Sequence, residues 1–378
     1  MMRLAESGAG HFAPVRLRTR ASCPVPPNRA YGMAVEFSGY YTGPLTAPRP
    51  KYETGSVNPF QNSARPTGQE ALTPICCRAA VSPPRPNQTG SIPGWLRKAS
   101  MHDHEPWQLT GTAAELYERY LVPAITGVWA ADLVRRAALQ PGERVLDVAC
   151  GTGIVALLAA DQVGAQGAVV GLDLNTAMLA VARALSPPAG ATITWTEASV
   201  LAMPFPDATF NVVVCQLGLQ FFPDRPQALR EMRRVLVPGG RLLLSVFGPL
   251  AHNPAPQALV EALERHLGPH ASAIKRAEHE LDDPAEIDAL VSGADFAEVT
   301  IETTTQPIRF PSPREYVRIQ FAATPLATLM KEMSSAQQAT LAEAVITDVS
   351  GTLRSYIGDD GLVFPQECHI LSAYSAGG

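Results

Sequence analysis

The chain has few of the features that mark specialised folds. Its 378 residues hold six cysteines (Cys23, Cys76, Cys77, Cys150, Cys215 and Cys368), with no CxxC pair and no Cys/His cluster at metal spacing. A zinc ribbon and a disulfide framework are thereby excluded; the thiols are expected to be reduced, with no metal bound. No apolar run approaches the ~18 to 20 residues of a membrane span, and the N-terminus lacks the continuous apolar core of a secretory signal. The expectation is a cytoplasmic protein with no integral membrane segment. Aspartate is absent from the first hundred residues.

That last absence belongs to a wider asymmetry. Residues 1–100 carry 12 lysines and arginines against four glutamates, a net +8, whereas the remainder carries 18 basic and 31 acidic side chains, a net −13. An acidic region without a basic stripe is a poor partner for phosphate backbones, so a small-molecule substrate is expected and nucleic acid is not. The first hundred residues also contain 14 prolines and nine glycines. Proline at that density fixes φ and removes backbone donors, so residues 1–100 are read as a disordered Pro-rich extension. Its arginine-rich, acid-poor composition suits an organelle transit peptide, a tail, or translation that begins at Met101.

Beyond it, apolar residues at helical spacing over 113–139 predict two helices in series, with Pro123 at the first position of the second. Short β-rich runs then alternate with helical ones. Strands are predicted at 144–149, 168–172, 192–197, 210–216 and 241–247. Helices are predicted at 154–160, 176–185 and 226–235. Near-continuous apolar strands of this kind indicate a parallel sheet buried on both faces. Further on, a helix from Pro254 to about His266 and a strand from Phe296 toward Phe310 precede a helical stretch, 313–356, and a last strand near 368–374. The fold class is α/β, a doubly wound Rossmann-like, seven-stranded, mostly parallel sheet with N-terminal helices and a helical insertion before the last strand. The insertion is the candidate lid. The domain reading is a core over 101–253 and, within the same domain, strands and a helical acceptor-site cap over 254–378.

Gly151 and Gly153 flank Thr152 between the first strand and its helix, where glycine permits a tight turn and close approach of a ligand. Asp173 ends the second strand and can accept hydrogen bonds from ribose hydroxyls. Gly151, Gly153 and Ala156 also satisfy G-x-G-x-x-G/A, so a dinucleotide stands beside S-adenosylmethionine as a cofactor. Asp147, four residues before Gly151, favours the sulfonium. Its carboxylate could brace the loop amides and adds negative charge that a pyrophosphate would not want.

Val145-Leu146-Asp147-Val148-Ala149-Cys150-Gly151-Thr152-Gly153 resembles motif I of the class I S-adenosylmethionine-dependent methyltransferases (methyltransferase type 11), in the branch similar to the ubiquinone and menaquinone C-methyltransferases. Gly171-Leu172-Asp173-Leu174-Asn175 is similar to that family's second-strand motif. Phe205-Pro206-Asp207-Ala208-Thr209-Phe210-Asn211 and Arg234-Val235-Leu236-Val237-Pro238-Gly239-Gly240 resemble its approaches to strands four and five. The resemblance covers about 113–247. It implies S-adenosyl-L-methionine as cofactor, held by Asp147, Ala149, Gly151, Thr152, Gly153, Asp173, Leu174, Ser199 and Val200, with Gln216, Tyr117 and Tyr120 beside it. The family commonly has Gly-Asp-Ala after the third strand; here Ser199 stands in the Asp position, a weaker partner for the adenine amine.

Methyl transfer from a sulfonium needs alignment and a dry site more than an acid or a nucleophile. The catalytic residue is therefore unassigned, with His252, beyond the fifth strand, the one candidate base. Gln216 and Gln220 are candidates for substrate contact, while His266, His270 and His279 are read as a solvated face. The function read from the sequence is methyl transfer to a small hydrophobic acceptor by in-line displacement. A Rossmann-type NAD oxidoreductase and a non-catalytic cofactor-binding partner protein are the alternatives.

Overall fold

A computed structural model describes residues 112–185, 190–331 and 333–376. The expectations for residues 1–100, for Cys23 and the Cys76–Cys77 pair, and for a start at Met101 fall outside the described residues. Helical structure begins with α1 (Thr112–Leu116), passes through a π-helical stretch (Tyr117–Thr126) and continues as α2 (Gly127–Ala137). The predicted break at Pro123 is therefore corrected, because the proline lies inside a continuous helical run. An α-helix would drive its ring against the carbonyl four residues back, and the wider π turn relieves that contact.

The strands are β1 (Arg144–Val148), β2 (Ala168–Asp173), β3 (Thr192–Glu197), β4 (Phe210–Gln216), β5 (Leu236–Phe247), β6 (Phe296–Phe310), the two-residue β7 (Ile357–Gly358) and β8 (Gly361–Ser375). Their order across the sheet is β3-β2-β1-β4-β5-β8-β6, with β7 paired to β8 outside that path. The first five strands pair in parallel and β8 runs antiparallel between β5 and β6. Because β1 neighbours both β2 and β4, the strand order reverses there, and a crevice opens at the carboxyl ends of β1 and β4. The Pro238-Gly239-Gly240 segment, expected as a turn before a strand at Arg241, instead lies inside β5 as an irregularity. Pairing with β4 jumps from Phe210–Leu236 to Val212–Arg241.

Between these strands run α3 (Ile154–Val163), α4 (Thr176–Ala184), α5 (Arg225–Val235), α6 (Pro254–Leu267), α7 (Ala273–Ala277) and α8 (Pro284–Ser292). The insertion before β8 is three helices rather than one stretch: α9 (Pro313–Ala323), α10 (Ala327–Met330) and α11 (Ser335–Thr352). Asn175 starts α4, its side chain accepting from the amides of Ala177 and Met178. Such caps satisfy donors that the first turn leaves without partners.

Alternate strand residues feed two cores, as a period of two demands. Val145, Val212, Val214 and Leu243 pack on one face with α2, α3, α6, α9 and α11. Leu146, Val213, Cys215, Leu242 and Leu244 pack on the other with α5 and α8. Trp129 of α2 is fully buried, and its indole N–H donates to Gln366 Oε1 on β8 at 2.8 Å. This bond ties the N-terminal helices to the last strand. Replacing Trp129 by Phe leaves a buried acceptor without a donor, and urea unfolding should register a loss of roughly 1–3 kcal/mol for that group alone.

Candidate active site

A cavity of about 320 Å³ lies at the carboxyl ends of β1, β2 and β4 and is lined, among others, by Tyr117, Ala149, Gly151, Asp173, Leu174, Ser199, Val200 and Gln216. That volume is in the range of small-ligand sites. Eight of the sequence-predicted residues thus meet on one wall. Asp173 sets the geometry: one carboxylate oxygen accepts from Gly151 N–H at 2.7 Å and the other from Asn175 N–H at 2.7 Å. Burial raises its pKa, and the hydrogen bonds from the Asn175, Gly151 and Leu174 amides work against that rise. Two residues lining the cavity, Ala149 (φ 55°) and Leu217 (φ 52°), sit in the left-handed region at the ends of β1 and β4. Strain of this kind is held only where the surroundings enforce it, characteristically at functional sites.

The two motif glycines serve different purposes. At Gly151 (φ +55°) an added Cβ would meet nothing within 4 Å, so the backbone there stands open to the cavity. At Gly153 (φ +90°) the Cβ would fall 2.3 Å from the Trp195 ring, and at Gly171 it would fall 2.4 Å from the same ring. Gly153 is corrected accordingly: it makes room for Trp195 of β3 and does not line the cavity.

Three more predicted residues lie away from the cavity lining. Asp147 is buried behind the loop, where Oδ2 accepts from Ala156 N–H in α3 at 3.0 Å. It braces an amide of the helix start instead of facing a ligand. Thr152 is also buried, with a hydroxyl that has no partner among the described residues. Tyr120 is half-buried with the Arg119 guanidinium 5.3 Å from its ring centre. Its three-residue spacing from Tyr117 would share a face on an α-helix, but the wider π turn carries it farther round the axis.

His252 is corrected as well. Its ring is exposed and its Nδ1 lies 2.9 Å from Glu367 Oε1, outside the cavity lining. The turn is pinned by Asn253, which donates to the carbonyls of Gly248 and Pro249 and accepts from Glu367 N–H. Of the histidines read as a solvated face, His279 is buried, stacked on Phe247 at 5.1 Å and bonded through Nδ1 to Gly248 O at 2.8 Å. His369 bridges Thr303 and the carbonyl of Asp282.

Tyr117 keeps its proton, since burial pushes the phenol up to about 12. Gln216 donates from Nε2 to Thr126 O at 3.0 Å, while its Oε1 is buried without a partner among the described residues. Gln220 is buried nearby, off the cavity lining, with neither polar atom paired among the described residues. The rest of the lining was not legible beforehand: Phe221, Phe222, Lys275, Glu278, Gln320 and Thr324 come from loops and helices without a shared motif, and Phe247 from the end of β5.

Comparison with known proteins bears on the same segment. The family model described as a methyltransferase domain matches residues 145–240. Residues 145–240 are thus similar to a methyltransferase domain. Over 137 residues the chain is 43 % identical to a 2-phytyl-1,4-naphtoquinone methyltransferase of Thermosynechococcus vestitus, covering 35 % of this chain and 60 % of that protein. It is 43 % identical over 121 residues to the ubiquinone/menaquinone biosynthesis C-methyltransferase UbiE of Xanthomonas campestris, covering 32 % and 48 %. The chain spans about half the length of the curated relatives it matches. Among solved structures, phosphoethanolamine N-methyltransferase 2 of Haemonchus contortus aligns with a TM-score of 0.45 at 17 % identity, covering 76 % of this chain and 60 % of that one. No helix of the described residues is long and apolar enough to cross a membrane.

Asp147 offers a test of its setting. Burial lifts its pKa well above the ordinary carboxylate value. A carboxyl whose folded pKa exceeds its unfolded one loses stability as pH rises from the unfolded value through the folded one. Asp147→Asn should therefore gain stability over the native chain at pH 7, and urea unfolding between pH 4 and pH 7 should show that gain shrink toward pH 4.

Proposed function

We propose that the protein transfers a methyl group from S-adenosyl-L-methionine to a small apolar acceptor of the quinone or quinol class. The observation that carries this reading is the state of the glycine loop. Gly151 N–H is taken by Asp173 and Ala156 N–H by Asp147, so two donors that would cradle a pyrophosphate are already occupied by carboxylates. Anion sites at helix starts depend on open amides, and this loop suits a ligand end that is not anionic. Gly151 leaves its backbone exposed, Asp173 retains lone pairs for ribose hydroxyls, and Gln216 Oε1, without a partner among the described residues, can accept from a donor such as an amino group. The residues present fit the cofactor.

When bound, S-adenosylmethionine supplies a methyl on a cationic sulfur that departs as a neutral thioether. The chain's part is to orient and to exclude water. Leu121, Ile125, Phe221, Phe222 and Phe247 make the remaining lining mainly apolar, which suits an apolar acceptor, and the end of α9 borders it through Gln320 and Thr324. Alignment of donor and acceptor in a dry pocket supplies most of what such a displacement needs. The quinone assignment draws support from what the curated relatives are named for.

Calorimetry of the full chain should show binding of S-adenosylhomocysteine and no binding of NAD. Asp173→Ala should weaken the former by about tenfold or more, the effect of losing hydrogen bonds to a charged acceptor. Labelled methyl donor should modify 1,4-naphthalenediol. Binding of NAD in place of the homocysteine would refute the proposal.

A further inference from the structure

The cavity's apolar wall contains one charged intrusion. Lys275 of α7 lines it while only 4 % exposed, and its ammonium is paired with Glu278 and with Gln320 Oε1 of α9 at 3.1 Å. All three residues line the cavity. An ammonium removed from water costs several kcal/mol unless it is paired and hydrogen-bonded, and an apolar residue in its place is often no less stable. Stability therefore gives no reason for a lysine at this wall. Chemistry does.

An ammonium carries three donors. Two of them meet Glu278 and Gln320, which fixes the nitrogen and leaves one N–H for a ligand. The Lys275–Glu278 pair is neutral as a unit, so a carboxylate or phosphate would find as much repulsion as attraction. A neutral oxygen would gain a charge-assisted hydrogen bond, about twice as strong as a neutral one. Tyr117, whose hydroxyl feels both Asp173 and Glu278, lies along the same cavity and ties the cofactor wall to this one.

We propose that Lys275, held in place by Glu278 and Gln320, donates a hydrogen bond to a ring carbonyl or hydroxyl oxygen of an otherwise apolar acceptor and so fixes which ring edge faces the methyl donor. Lys275 is a positioning and specificity residue; no bond is made or broken at its nitrogen. The assignment rests on the methyltransferase reading above, and the experiment keeps the two apart.

The full chain, saturated with S-adenosylhomocysteine, is titrated with 1-naphthol and with 1-methylnaphthalene, which is similar in shape and lacks the oxygen. The expected result is tighter binding of 1-naphthol, with the preference falling by at least tenfold in Lys275→Met while homocysteine affinity stays within about threefold, since one charge-assisted bond is lost. Lys275→Arg, which keeps a donor, should retain part of the preference. Equal binding of the two probes by the native chain, no binding of 1-naphthol, or an undiminished preference in Lys275→Met overturns the assignment. Should Lys275→Met fail to fold, the native chain's preference and its partial retention in Lys275→Arg decide the matter. A native chain that does not bind the homocysteine sinks the methyltransferase reading itself.

Discussion

The site depends on one carboxylate that holds two strand ends at once. Asp173 closes β2, yet its oxygens grip the amide of Gly151 beyond β1 and the amide of Asn175 at the start of α4. Without that double contact the glycine loop and the α4 start would be separate turns, each free to choose its own path. With it, the open backbone at Gly151, the strained Ala149 and the capped helix form one rim. Asp147 works from behind, holding Ala156 so that α3 begins where the loop ends. The two acids thus divide the labour: one shapes the face seen by a ligand, the other the support beneath it.

The parallel half of the sheet and this rim were legible in the sequence because both depend on local constraints. Apolar runs bounded by glycine, proline or aspartate mark strands buried on both faces, and β3 and β4 lie where those runs predict. Pro123 was misread since the rule for proline presumes an α-helix, and the chain answers the missing donor by widening the turn. Gly153 looks like a ligand-facing residue until Trp195, arriving from β3, occupies the space beside it and beside Gly171. The His252 reading failed for a related reason: position at the strand's carboxyl edge does not decide which way a side chain turns, and Asn253 and Glu367 turn it outward.

The wall that holds Lys275 was illegible because its polar members gain meaning only together. Lys275 and Gln320 stand 45 residues apart on helices with no motif in common, and each alone reads as an ordinary helical residue. Such a wall can vary without disturbing the rim, because the rim is fixed by β1, β2 and β4 while Lys275 and Gln320 sit on helices outside it.

The placement of β8 carries a consequence for how the molecule is made. This strand follows β6 in sequence, yet it lies between β5 and β6 and supplies the only in-sheet neighbour that β6 has among the described residues. During synthesis β6 emerges some fifty residues before its partner and must wait with both edges bare, a state prone to wrong pairing. The parallel half and its rim can assemble while the ribosome is still working. The helices α9 to α11, threaded between β6 and β8, can settle against the sheet only when β8 slots into the gap.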